Sequence, residues 1–387
     1  MRPWLVVLLI AGCNSNAAPP PGTPPVPPAP IPTPPVVRDA AVVDAHPSSM
    51  AGPQMYLALC APCHGKDLHG YTADNAPSLI TPTFLESATD DFLKGSILTG
   101  RPGTSMAAYG NKLGGPLDDA AITRLVAYIR EQGPKSKDLP AVPKGDPIKG
   151  EALYAKASCG SCHGDAKTRR DSIHLANTMF LVQASDSFIK HAIVNGRPGT
   201  KMLAFGGALS DPEVNDLVAY VRTLGTGAKQ AGQLPAPTGK EPLVLNPKGK
   251  DPVWKLREDR FVSVDDAHKA YKAGAKMIII DARPPSDWMR AHIKGAVSIP
   301  YHDVARLKDV PKDTFVIAYC ACPHHLSGIV VDELIKLGHK KALVLDEGIN
   351  DWHSKGYPMT VAEGVEPPPK QAPGLAPPGG DHSGHGH

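Results

Sequence analysis

Two five-residue groups in this chain, Cys60-Ala61-Pro62-Cys63-His64 and Cys159-Gly160-Ser161-Cys162-His163, each place two thiols three positions apart and end on an imidazole. On a helix that spacing puts the thiols about one turn apart. Both can then bond to the vinyl groups of one porphyrin, while the adjacent imidazole meets the iron from one side. Cys-x-x-Cys-His is the attachment signature for c-type haem. A single copy would also suit half a zinc site or a redox dithiol. Two copies, each followed by the same downstream pattern, point to two covalently attached haems held by Cys60, Cys63 and His64 and by Cys159, Cys162 and His163.

The downstream pattern is an internal duplication. GRPGTSMAAYG spans Gly100–Gly110 and GRPGTKMLAFG spans Gly196–Gly206. Met106 and Met202 occupy the same place in these loops and are the expected distal iron ligands. A loop methionine also serves as ordinary packing. His69 and His174 follow their motifs at unequal distances, and His191 and Met179 have no counterpart, so repeat symmetry favours the methionines. Arg101 and Arg197 precede the Pro-Gly of each loop. A guanidinium there suits a haem propionate through a two-pronged bond, or stands as a solvated turn residue. The repeated aromatics Tyr109/Phe205 and Tyr128/Tyr220 fit haem packing and plain core packing equally.

Each copy closes on an amphipathic stretch. Ile122, Leu125, Val126 and Ile129 share one helical face, matched by Val214, Leu217, Val218 and Val221, with Asp118 and Ser210 placed as N-caps. The order of helix, haem motif, loop, short helix, Met loop and final helix resembles the class I cytochrome c fold over about 50–133 and 145–226. That resemblance implies two all-α domains, His/Met-ligated iron, electron transfer as the activity and redox proteins as partners.

Residues 227–253 are rich in Gly, Pro, Lys and Gln and read as a linker. A different pattern follows. Met277–Asp281, Thr314–Tyr319 and Ala342–Asp346 are buried-strand runs, and His325–Gly338 reads as a helix ending at a glycine. Strands alternating with helices predict an α/β module with a parallel sheet. DARPPSDWMRAHIKGAVSIP at Asp281–Pro300 and LDEGINDWHSKGYPM at Leu345–Met359 resemble the rhodanese family over about 254–361. Cys320, after a strand and before a helix, then falls where that family keeps its catalytic cysteine. Backbone N–H groups at the helix start would lower its pKa, and the thiolate would carry sulfane sulfur as a persulfide. The loop CACPHHLSG departs from the common pattern: Pro323 removes an N–H donor, and His325 stands where many members have Arg. Cys322 could resolve a persulfide or bond to Cys320. The other reading is a non-catalytic module in which Cys320, Cys322, His324 and His325, with His382, His385 and His387, bind copper or zinc or sense redox state.

The N-terminus reads MRPWLVVLLIAGC, a basic residue, a short apolar run and small residues before Cys13. This has the form of a secretory signal, and the run is too short to span a bilayer. Ile10-Ala11-Gly12-Cys13 resembles the bacterial lipoprotein cleavage box. The resemblance implies removal of 1–12, lipidation of Cys13 and a lipid-anchored protein of the bacterial cell envelope exposed to the periplasm. Residues 13–49 form a Pro-rich spacer and 362–387 a Pro/Gly/His tail. Net charge is +3 with 20% charged residues, which is no footprint for nucleic acid.

Overall fold

The apolar stripes become the buried faces of paired helices. The first repeat runs α1 (Gly52–Leu59), α2 (Ala61–His64), α3 (Pro82–Ser87), α4 (Asp90–Thr99) and α5 (Asp119–Arg130); the second runs α6 (Pro147–Lys156), α7 (Gly160–His163), α8 (Thr178–Gln183), α9 (Asp186–Asn195) and α10 (Asp211–Thr223). All eight stripe residues of α5 and α10 are buried. Asp118 caps as expected, accepting from the Ala121 N–H, whereas the Ser210 hydroxyl caps no backbone group: it and the Ser210 N–H both donate to the Glu213 carboxylate, at 2.7 and 2.8 Å. Glycine lets the terminal helices of each repeat cross closely. A Cβ on Gly52 would lie 2.9 Å from the Arg124 carbonyl oxygen, and one on Gly150 would lie 2.0 Å from that of Asp216.

The computed structural model describes residues 46–73, 75–170, 172–225, 231–321, 324–366 and 370–371. The expected signal segment, Cys13 and most of the Pro-rich spacer lie outside the described residues. So do Cys322, Pro323 and the histidines of the tail. Among the described residues no helix is long and apolar enough to cross a membrane. The described residues belong to one compact unit.

After the short β1 (Thr168–Arg169) of the second repeat, the remaining strands belong to the C-terminal half. They are β2 (Phe261–Val262), β3 (Ile278–Asp281), β4 (Ala291–Ile293), β5 (Val297–Ser298), β6 (Val316–Tyr319), β7 (Ala342–Leu345), β8 (Met359–Val361) and β9 (Lys370–Gln371). Helices α11 (Val264–Lys272), α12 (Pro285–Trp288), α13 (His325–Lys336) and α14 (Gly348–Ser354) intervene. A five-stranded parallel sheet has the order β2-β7-β6-β3-β5; β4 pairs antiparallel with β8, and β9 pairs parallel with β1. The strand period of two sends alternate residues to two cores. Ile278, Ile280, Val316, Ala318 and Val344 face α13, whereas Ile279, Ile317, Tyr319 and Leu343 pack with Trp288 and Trp352. The first of these cores continues without a break into the first helical repeat through Leu59, Tyr109 and Tyr301.

The segment 231–252, read as a linker, lies along the α/β module. The Leu234 N–H donates to the Met289 carbonyl, and Leu245 exchanges backbone bonds with Met277. The apolar triplet Leu243-Val244-Leu245 within a Pro/Gly-rich stretch supplies the reason, since all three side chains pack against the cores.

Candidate haem sites and the Cys320 loop

Both cysteine-histidine motifs coil into a single helical turn. The His64 and His163 N–H groups donate to the Cys60 and Cys159 carbonyls at 2.9 and 3.0 Å. The imidazoles are fixed alike: His64 Nδ1 lies 2.9 Å from the Pro77 carbonyl oxygen and His163 Nδ1 lies 2.8 Å from that of Ile173. A proton on Nδ1 donated to a carbonyl leaves Nε2 as the basic nitrogen, the tautomer an iron ligand needs. Burial lowers the His64 pKa and so keeps the ring neutral. Tyr56 and Tyr154 donate to the carbonyls of Gly65 and Gly164, anchoring the residue after each motif. Two thiols on one turn, a neutral tautomer-locked imidazole and a methionine loop in the same repeat fit a covalently held haem.

The two methionine loops match bond for bond. The N–H groups of Arg101 and Arg197 donate to the Met106 and Met202 carbonyls at 2.7 and 2.9 Å, and the Met N–H groups donate to Thr104 and Thr200 Oγ1 at 3.1 Å. Each threonine hydroxyl donates in turn to its arginine carbonyl at 2.7 Å. Gly100 and Gly196 start the loops at φ +62° and +61°, where a Cβ would lie 2.4 and 2.7 Å from the backbone around each methionine.

Arg101 and Arg197 reach across the boundary between the repeats. Arg101 donates to Ser96 Oγ at 2.7 Å and to Gln183 Oε1 of the second repeat. Arg197 donates to the Thr83 carbonyl at 2.9 Å and to Ser87 Oγ at 3.3 Å, both in the first repeat. Each guanidinium also lies over one ring from each repeat, Arg101 over Phe92 and Phe180, Arg197 over Phe188 and Phe84. Phe92 and Phe188 stack at 4.6 Å between them. Burial lowers both arginine pKa values to about 10. These donors join the two repeats. Gln183, which also donates to Thr99 Oγ1 at 2.6 Å, has no distinguishing signal in the sequence.

In the α/β module, Asp281 and Arg283 form a buried two-pronged pair at 2.9 and 2.7 Å; Arg283 also donates to the Ala291 carbonyl and Tyr319 to Asp281. Burial disfavours the Arg283 charge, but the carboxylates of Asp281 and Asp287 outweigh it and raise the pKa. Trp288 and His292 stack at 3.5 Å. These motif residues therefore brace the ends of β3 and β4. Cys320 immediately follows β6, fully buried, with Sγ 3.3 Å from Ser327 Oγ in the first turn of α13. The Cys320 and Ala321 carbonyls accept from the Ile349 N–H at 3.0 Å and the Asn350 side chain at 3.1 Å. His324 caps α13 at φ +75°, and its Nε2 lies 2.6 Å from Asp346, which Arg257 holds by two further bonds at 2.9 and 2.8 Å. Hydrogen bonding from Arg257, then from His324, keeps the Asp346 pKa low. His325 begins α13 itself. Among the described residues no three His, Cys, Asp or Glu side chains come together as a metal site.

A third feature escaped the sequence. The Tyr301 hydroxyl donates to the Leu59 carbonyl at 2.8 Å and lies 2.9 Å from the Tyr109 hydroxyl, one residue from the first haem motif. Ser286 donates to the Ala108 carbonyl at 2.6 Å. Beside this seam a cavity of about 60 Å³ is lined by Arg283, Arg290, Ala321, Asn350 and His353 from one side and Thr104 of the first Met loop from the other.

The comparisons with known proteins fall on the same division. The family described as cytochrome C oxidase, cbb3-type, subunit III matches residues 48–129 and again 145–221, and the rhodanese-like domain family matches 263–355. The chain thus has a helical cytochrome c-like region followed by an α/β rhodanese-like domain with a parallel sheet. The first match implies covalently bound haem, and the two together support electron transfer joined to a sulfurtransferase-type module. A curated relative, an HTH-type transcriptional regulator of Mycobacterium tuberculosis, is 25% identical over 89 residues, 23% of this chain. The chain spans only 39% of that relative's length. Among solved structures, the reducing HAO-like protein complex of Kuenenia stuttgartiensis is 20% identical with a TM-score of 0.32, covering 45% of this chain and 94% of its own. A rhodanese-related protein of Thermoplasma volcanium is 25% identical with a TM-score of 0.23, covering 26% and 97%.

Proposed function

We propose that this chain is a dihaem electron carrier joined to a rhodanese-like domain that handles sulfane sulfur at Cys320. The observation that carries this reading is the seating of the Cys320 domain on the first haem repeat through Tyr301, Tyr109 and Leu59. Cys60, Cys63 and His64 with Met106, and Cys159, Cys162 and His163 with Met202, would hold the two haems. When bound, haem supplies one-electron storage at a potential raised by methionine ligation. The protein's own part is to lock each imidazole tautomer, to hold each methionine loop through its Thr–Arg bonds and to keep the two repeats joined by Arg101 and Arg197.

At Cys320 the thiolate would attack the outer sulfur of a sulfane donor. The donor's S–S bond breaks, its leaving group departs with the electron pair, and a cysteine persulfide forms. A thiolate there would lie 3.3 Å from the Ser327 hydroxyl, in the first turn of α13. Cys322, which lies outside the described residues, would modulate release. We further propose lipidation at Cys13, removal of 1–12 and attachment to the cell envelope facing the periplasm.

Purified full-length protein tests the reading. It should show c-type bands at two haems per chain, and Cys320→Ser should abolish persulfide formation where Cys322→Ser retains part of it. Persulfide formation at the wild-type rate in Cys320→Ser would reassign the nucleophile. Absence of persulfide from every donor, with stoichiometric copper or zinc binding, would favour the metal-binding alternative. Mass spectrometry of the mature N-terminus checks the acyl group.

A further inference from the structure

Cys320 and the first cysteine-histidine motif lie in one continuous core. Cys320, Leu326, Val330 and Val331 belong to the same buried cluster as Leu59 and Ala61, and Cys60 packs against it. Two routes connect them. Helix α13 packs directly on α2, the turn that carries Cys63 and His64. The other route runs through backbone. The Ala282 N–H donates to the Tyr319 carbonyl at 3.0 Å, and the Tyr301 N–H donates to the Ala282 carbonyl at 2.9 Å. The Tyr301 hydroxyl then holds the Leu59 carbonyl, one residue before Cys60. Tyr319 immediately precedes Cys320.

The second motif is bonded differently. Among the described residues, Cys60 packs against that core and Cys159 does not. Ser158 stands where Leu59 does, exposed at φ +56°, and its carbonyl accepts from the Ser161 N–H at 3.0 Å and the Ser161 hydroxyl at 2.7 Å. The face beyond it is open as well: Leu203 and Gly206 are exposed and Phe205 is half-buried, where Ala107 and Tyr109 are buried in the first repeat. The Cys320 end, by contrast, is tight. Cys320 and Ser327 are both fully buried, and Sγ lies 3.3 Å from Oγ in the first turn of α13. Protein cores pack as closely as organic crystals, so one more heavy atom on Cys320 displaces a neighbour. Ser327, at the start of α13, stands against it.

We infer that the chain reports its own sulfur load: a sulfane sulfur on Cys320 displaces the first turn of α13, and the displacement is registered at the first haem motif, through α2 and Leu59, and not at the second. This inference rests on the sulfur-handling reading of Cys320. The step needs no electron exchange with a haem. The Cys320 thiolate bonds to a terminal sulfur of a polysulfide, the adjoining S–S bond breaks, and the shortened polysulfide leaves with the electron pair. The signal is the added atom. Both ends bias one packed element, which is what coupling between two sites requires. By linkage, a change at the first haem alters how readily Cys320 keeps its sulfur.

Full-length holoprotein, reduced with ascorbate and treated with inorganic polysulfide, provides the test. Mass spectrometry counts the sulfur gained. Proton NMR follows the methyl groups of the two iron-bound methionines, which the porphyrin ring current sets apart, and Met106→Ala and Met202→Ala assign them. Hydrogen exchange at 60–65 and 159–164 reports on the same two motifs whether or not haem is bound. Gain of one sulfur should shift the Met106 methyl signal and change exchange at 60–65 by about twofold or more, with the Met202 signal and 159–164 unmoved. Cys320→Ser should gain no sulfur and show no change. Ser327→Ala, which opens room for the added atom, should load and yet show a smaller shift. Sulfur gained with both motifs unmoved would overturn the inference, and so would equal changes at both. If no sulfur is gained, the sulfur-handling reading fails by itself, and Cys320→Met tests the coupling alone by adding bulk at the same place. It should move the first motif only; an unmoved first motif in that variant would overturn the inference as well.

Discussion

The first and second helical repeats share a backbone but not a setting. Where their partners coincide, the residues serve the repeat itself: Thr104 and Thr200 bond the same groups around Met106 and Met202, and Arg130 and Arg222 each tie the last helix to the paired turn before it, to Asp90 and Asp186. Where partners differ, the residues serve the neighbours. Tyr109 carries a hydroxyl that Phe205 lacks, and that hydroxyl meets Tyr301. Arg101 and Arg197 stand at equivalent positions and yet bond different atoms, because each reaches into the other's repeat. A duplicated sequence therefore separates two pressures that a single copy would mix.

The sharpest way to break this comparison is at Tyr301. Tyr301→Ala removes a buried ring from the seam and should cost about 3–5 kcal/mol, whereas Phe205→Ala on the open face should cost about 1 kcal/mol. Chemical denaturation followed by haem absorbance checks both. Equal losses would mean that the two faces are not differently loaded.

Next in size are the loop glycines. Gly100→Ala and Gly196→Ala each force a Cβ into backbone at a positive φ and should cost about 1–3 kcal/mol. Each should weaken the methionine–iron charge-transfer band by only its own share, as Met106→Ala and Met202→Ala should, and the double variants should lose it. A single glycine variant that abolished the whole band would show that the loops are not independent.

The arginines come third. Arg101→Ala and Arg197→Ala should each cost about 1–3 kcal/mol through lost charged hydrogen bonds. Their double-mutant cycle should show coupling of about 0.5 kcal/mol or more, because Phe92 and Phe188 stack between them. Strict additivity would mean that they act as two separate clamps.

The smallest effect lies outside both repeats. Asp346 has its pKa lowered in the fold, so its contribution is present above the unfolded carboxylate value of about 4 and is lost as pH falls through the lower folded value. Arg257 is half-exposed, so the contribution is well under about 1 kcal/mol. Arg257→Gln should move the acid-unfolding midpoint slightly upward in pH while leaving stability per haem repeat unchanged.

Much of this architecture could be read from residues. Periodicity placed α5, α10 and α13, the strand runs gave β3, β6 and β7 within two residues, and repetition singled out the methionine loops. What stayed hidden was whatever depends on packing between elements far apart in the chain. Arg101 precedes Pro-Gly in both copies, and nothing in that pattern says that its donors meet Gln183. His324 read as an imidazole ligand beside the loop's two thiols; the αL turn that aims it at Asp346 appears only once β6 and β7 are side by side. Tyr301 follows a strand and a proline and carries no motif, so its place against Leu59 could come only from the assembled fold. The stretch 231–252 looked like a spacer because composition outweighed three apolar residues.

The Tyr301 seat also has a kinetic meaning. The hydroxyls of Tyr301 and Tyr109 converge on one carbonyl within a shared apolar core, so the span from Cys320 to the first haem motif is set by packing rather than by a searching tether. If the proposed function holds, any transfer across that span would be first order, and its rate should depend on neither protein concentration nor solvent viscosity.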